Sequence, residues 1–94
     1  MHYLYILYSD SVDKFYVGET FDINIRLSKH QDQYYKGAFT KIASDWKVVL
    51  LMECSNKDAA VYLENFIKKM KSRKFIEKII NDTKILEDIL ARKP

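Results

Sequence analysis

The first eighteen residues contain two strand patterns separated by a polar turn. Residues 2–8 are mainly aromatic and β-branched, and residues 14–18 form a second such stretch that ends at Gly18. The five residues between them are almost all Ser and Asp, which favour turns. Two strands this close in sequence pair antiparallel, so the chain is predicted to begin with a β-hairpin.

The rest of the chain predicts one more strand and four helices. Residues 46–53 are almost continuously apolar, as in a strand buried on both faces. A helix capped by Thr20 or Asp22 runs to about Gln31, and residues 31–45 read as a long loop. Three helices with one apolar stripe each follow the third strand. The predicted fold is α/β (α+β): a three-stranded antiparallel sheet with surrounding helices in the order ββαβααα.

Length and composition favour one small domain spanning residues 1–94. The single cysteine, Cys54, has no intramolecular disulfide partner, which fits a reducing compartment. No apolar run reaches the ~20 residues of a membrane span, and the N-terminus lacks signal-peptide features. We therefore expect a cytoplasmic protein with no membrane association. The sequence does not predict the oligomeric state.

Positive charge is concentrated in one segment of a chain whose net charge is only +3. Residues 66–78 contain six Lys or Arg and one Glu. Such a segment attracts polyanions, although a basic run is more often a solvated helix face. The predicted nucleic-acid-binding residues in it are Lys68, Lys71, Arg73 and Lys74.

Four residues near the N-terminus have side chains suited to phosphate chemistry. Tyr5 and Tyr16 lie on the two predicted hairpin strands, and Arg26 and His30 lie one turn apart on the following helix. Arginine is planar, permanently charged and suited to bidentate phosphate binding. A tyrosine pKa of about 10 makes the neutral phenol a poor base unless nearby cations lower that pKa. Taken singly, each residue fits a structural role better than a catalytic one.

The spacing of these four residues resembles the core of the GIY-YIG nuclease family. Tyr5 closes a Tyr-Leu-Tyr segment that is similar to the first family motif, and Tyr16-Val17-Gly18 is similar to the second. The resemblance covers about residues 3–80 and is greatest to small, stand-alone members. It implies a metal-dependent endonuclease acting on DNA, with Tyr5 as general base and with Tyr16, Arg26 and His30 as further catalytic residues.

The same resemblance implies that Glu64 is the metal ligand. Glu64 follows Ala60 by four residues on the predicted fifth element and precedes an Ile-Lys pair, as in the family pattern. One carboxylate is sufficient for Mg²⁺, which keeps several of its waters. The expected cofactor is therefore Mg²⁺ or Mn²⁺.

A non-catalytic nucleic-acid-binding module on the same fold is the main alternative, because fold does not fix function. A protein-binding domain is a third interpretation. Hydrolysis requires the five candidate side chains to line a single open cleft. A Tyr5 packed wholly inside the core, or a Glu64 on the opposite side of the domain, would argue against a nuclease.

Overall fold

The computed structural model describes the backbone of residues 1–31 and 42–94, and the side chains of residues 1–27 and 42–94. Most of the predicted loop of residues 31–45 therefore lies outside the described residues. The strands are β1 (His2–Ser9), β2 (Lys14–Thr20) and β3 (Trp46–Cys54). The helices are α1 (Ile23–Gln31), α2 (Lys57–Met70), α3 (Arg73–Asn81) and α4 (Lys84–Ala91). The predicted order ββαβααα is confirmed.

The three strands form an antiparallel sheet in the order β2-β1-β3. Tyr5 on the central strand lies opposite Gly18 on β2 and Leu51 on β3. β3 is an edge strand, and Leu51 on it is 45% exposed. The prediction that the third strand is buried on both faces is therefore wrong, because only one neighbour and part of the helical layer cover it.

Each face of the sheet supports its own apolar cluster. Alternation along β1 directs Leu4 and Ile6 to a larger core shared with α2, α3 and α4. Tyr5 and Leu7 point to the other face, into a smaller core with Trp46, against which α1 packs. The apolar stripes of the three helices that follow β3 all pack on the larger core, as the shared membership of that cluster shows.

Side-chain caps fix where the helices begin. Asp22 Oδ1 accepts hydrogen bonds from the backbone N–H groups of residues 24 and 25, at 3.0 and 3.1 Å. Asn56 caps α2 and Ser72 caps α3 in the same way. Within the described residues, no helix combines the length and apolar character needed to cross a membrane.

Candidate active site

Tyr5 is nearly inaccessible, at 1% exposure, because it lies on the central strand under the packing of the smaller core. The prediction that its side chain lines an open cleft is therefore wrong. A Cβ built on Gly18 would lie 2.5 Å from the Tyr5 hydroxyl, so glycine is required where the phenol crosses β2. The close approach of the Tyr5 phenol thus explains the glycine at this position. The burial leaves the catalytic role of Tyr5 a prediction.

Tyr16 is half-buried and lies beside Tyr5, with ring centroids 6.2 Å apart. The two rings come from adjacent strands and project from the same face of the sheet. β2 is an edge strand, so Tyr16 is the more accessible of the two tyrosines. A substrate approaching this edge meets Tyr16 first.

Lys68 connects Tyr16 to the predicted metal ligand. Its ammonium Nζ lies 5.8 Å from the centroid of the Tyr16 ring and 2.6 Å from Glu64 Oε2. Although α2 belongs to the larger-core face, its Lys68 side chain therefore reaches Tyr16 on the edge strand β2. Glu64 is not on the opposite side of the molecule from Tyr16.

The Glu64 carboxylate suits a divalent ion with few protein ligands. Its side chain is 19% exposed, and Lys68 contacts one of its two oxygens. The described residues contain no group of three His, Cys, Asp or Glu able to hold a metal together. One carboxylate with water ligands is an arrangement that Mg²⁺ accepts and that Mn²⁺, which also prefers oxygen, shares.

Arg26 is half-buried on α1, the helix that packs against the smaller core through Ile23 and Leu27. The same helix therefore carries Arg26 on the face of the sheet that holds the tyrosines. His30 lies in the last turn of α1, and its side chain is outside the described part of the chain. For His30, the structure therefore gives only the position on the helix. Its approach to the tyrosines stays a prediction.

The basic segment divides into residues with different surroundings. Lys68 and Lys71 line a groove of about 540 Å³ that starts at Tyr16. Arg73 lines it too, but its guanidinium is held by Asp13, with one nitrogen 2.6 Å from the carboxylate and another 3.1 Å from the carbonyl oxygen. The bond to the Asp13 carboxylate raises the pKa of Arg73. Lys74 is exposed on α3 and does not line the groove.

Sequence reasoning missed both the bridging position of Lys68 and the anchoring of Arg73. The four-residue spacing of Glu64 and Lys68 was a visible signal, because such residues are neighbours on a helix. No local signal predicts the Arg73–Asp13 pair, whose members lie 60 positions apart. Glu19 follows Gly18 directly, but it lies opposite Leu4, away from the tyrosines, with its Oε2 3.2 Å from His2 Nε2.

Comparison with known proteins gives one match. The model of the GIY-YIG catalytic domain matches residues 1–79. No curated protein and no solved structure is significantly similar to the chain. The match includes both tyrosines, Arg26, His30, Glu64 and the whole basic segment of residues 66–78. With more than four-fifths of its length in one family model, the chain belongs to the GIY-YIG family.

Proposed function

We propose that this chain is a metal-dependent endonuclease that hydrolyses phosphodiester bonds in DNA. The observation that carries the proposal is the contact series from Tyr5 through Tyr16 and Lys68 to Glu64, in a chain of a family whose members are generally endonucleases. The series joins a phenol, an ammonium and a carboxylate at an accessible strand edge. Residues 1–94 act in this proposal as a single nuclease domain.

Arg26 binds the scissile phosphate and neutralises charge that grows on it during attack. His30, one turn later on α1, donates a hydrogen bond to the same phosphate or orients a tyrosine hydroxyl. Glu64 holds Mg²⁺ or Mn²⁺ through the carboxylate oxygen that Lys68 leaves free. The bound ion supplies Lewis-acid stabilisation of the phosphate and acidifies a coordinated water.

Tyr5 is proposed as the general base, with Tyr16 beside it on the accessible edge. Lys68 Nζ lies 5.8 Å from the centroid of the Tyr16 ring, in a cation–π contact that holds the ammonium at this edge. Lys68, Lys71, Arg73 and Lys74 bind the flanking DNA backbone.

The second candidate is a DNA-binding module without catalytic activity. One observation favours it, namely the 1% exposure of Tyr5, since a general base must reach the water that it deprotonates. Binding of DNA by the basic segment does not need Tyr5. Both candidate functions therefore predict DNA binding, and only the nuclease predicts DNA cleavage.

The test is Mg²⁺-dependent cleavage of single-stranded, duplex, flap and junction DNAs by the wild-type protein and Glu64→Gln. The substitution is nearly isosteric, so we expect cleavage to be abolished and DNA affinity to be almost unchanged. Glu87→Gln is the matched control, because Glu87 is exposed on α4 and far along the chain from the site. Wild-type binding without cleavage would favour the second candidate. Cleavage by Glu64→Gln would show that Glu64 is not the essential ligand.

A further inference from the structure

The groove that begins at Tyr16 combines an apolar floor with a cationic rim. It lies along the free edge of β2 and reaches the junction of α2 and α3. Phe15, Val17, Ile67 and Ile76 form the floor. Lys14, Lys68 and Lys71 stand around it. Its volume of about 540 Å³ falls in the usual range of small-molecule sites.

A groove with an apolar floor and a cationic rim favours an anion that also has an apolar part. Phosphates of a continuous duplex satisfy the lysines, but stacked and paired bases offer no free face to the apolar floor. An unpaired nucleotide offers both a phosphate and a flat base that is free to stack. Phe15 contributes apolar surface to the floor, and its ring packs against Tyr8 and beneath the Arg73 guanidinium, which hold it in place.

Lys71 has a backbone conformation that lysine rarely adopts. It ends α2 with φ 48° and ψ 40°, in the left-handed region where glycine is usual. In this backbone conformation a lysine stabilises the fold less than a glycine would. The need to end the helix therefore does not account for a lysine at this position. Its ammonium adds positive charge to the rim beside Lys68.

We propose that the groove binds an unpaired nucleotide of DNA next to the cleavage site, so that the preferred substrate carries a single-stranded overhang or flap. The proposal rests on the proposed function, since Tyr16 belongs to both the groove and the candidate active site. An extended peptide added to the edge of β2 is the competing occupant. The lysine rim favours the nucleotide, because a peptide backbone carries no charge to match it.

The test compares two probes in EDTA, which prevents cleavage. Both are the same short duplex with a single-stranded overhang, and in one of them every overhang nucleotide is abasic. The phosphates are identical, so the comparison isolates the bases. We expect the base-bearing overhang to bind at least about 5-fold more tightly, the lower end of what stacking one base contributes.

Two variants localise the effect. Lys71→Gly should weaken binding of the overhang several-fold without lowering the thermal midpoint, because glycine suits the left-handed conformation. Lys69→Gln removes a neighbouring exposed lysine that does not line the groove, and should leave the preference for bases unchanged. Ile76→Ala, on the floor, should reduce the preference for bases while the abasic probe binds as before.

Equal affinity for the two probes would overturn the proposal, and so would wild-type overhang binding by both Lys71→Gly and Ile76→Ala. Neither result bears on cleavage, which the Mg²⁺-dependent assay measures separately. Cleavage with no preference for bases would reject nucleotide binding in the groove and support the nuclease proposal. A preference for bases without cleavage would support nucleotide binding in the groove of a non-catalytic DNA-binding module.

Discussion

At the residue scale, Tyr5 and Gly18 show that a sequence motif predicts the family of a chain better than it predicts the surroundings of each residue in the fold. Their types and spacing were visible in the sequence and led to the family that the chain belongs to. The burial of Tyr5 was not visible, because it depends on β1 being the central strand of the sheet. The reason for Gly18 was likewise tertiary: the space a Cβ would fill is taken by the Tyr5 phenol.

The role proposed for Tyr5 is tested by Tyr5→Phe. The substitution keeps the ring that packs with Trp46 and Leu7 and removes only the hydroxyl. A positioned general base contributes about 10²–10⁴-fold, so we expect the cleavage rate to fall by that factor. Urea denaturation should give a free energy of unfolding within about 1 kcal/mol of wild type, the usual worth of one hydrogen bond. A loss of stability with an unchanged rate would assign Tyr5 to the core alone.

At the scale of elements, periodicity predicted the strands and helices, and capping residues predicted where helices begin. Asp22 was one of the two caps predicted for α1, and its Oδ1 accepts hydrogen bonds from the Asn24 and Ile25 N–H groups at 3.0 and 3.1 Å. How the elements are tied together was beyond the sequence. Arg73 joins α3 to the hairpin turn at Asp13, and Asp45 joins the approach to β3 to the same turn. Such pairs lie 34 to 60 positions apart and leave no local pattern.

Asp45 makes the tie between the hairpin turn and β3 dependent on pH. Its carboxylate accepts hydrogen bonds from the Ser9 hydroxyl, the Ser11 backbone N–H and the Ser11 hydroxyl, which lower its pKa from 3.8 to about 2. A carboxyl whose folded pKa is depressed stabilises the fold above its unfolded pKa. That contribution is lost as the pH falls from about 4 to about 2.

We therefore expect Asp45→Asn to be less stable than wild type at pH 7 and to lose less stability on acidification. Urea denaturation at pH 7, 4 and 2 measures the difference in the free energy of unfolding. That difference should shrink between pH 4 and pH 2. Asp88→Asn is the matched control, since Asp88 is exposed on α4 and takes no part in the hydrogen bonds by which Asp45 holds the turn. A difference that stays constant from pH 7 to pH 2 would contradict the role of the charge.

At the scale of the whole molecule, strand order decides which candidate residues are accessible. With β1 in the centre, Tyr5 is enclosed, whereas β2 at the edge leaves Tyr16 and the groove accessible. Lys68 on α2 contacts the Tyr16 ring although its helix packs on the larger core, and Glu64 lies beside Lys68. The strands and helices were predicted from the sequence. The order of the strands was not, because it depends on how the sheet assembles.

Charge is likewise organised around the β2 edge, which predicts how DNA binding depends on salt. The net charge of +3 is small, so long-range attraction must come from local clustering of the lysines. Each phosphate contact that releases a counterion contributes about 0.9 to the slope of log K against log salt for duplex DNA. Replacing Lys68, Lys71 and Lys74 with Gln should therefore flatten that slope by up to about 2.7.

The control must remove the same charge from elsewhere. Replacing Lys69, Lys78 and Lys84 with Gln changes the net charge equally, and all three are exposed and lie outside the groove. Fluorescence anisotropy of a labelled duplex across a salt series gives both slopes. If position matters, the first variant has the shallower slope and the control remains close to wild type. Equal slopes in the two variants would mean that DNA responds to net charge alone, and the lysines at the β2 edge would then be an ordinary solvated surface.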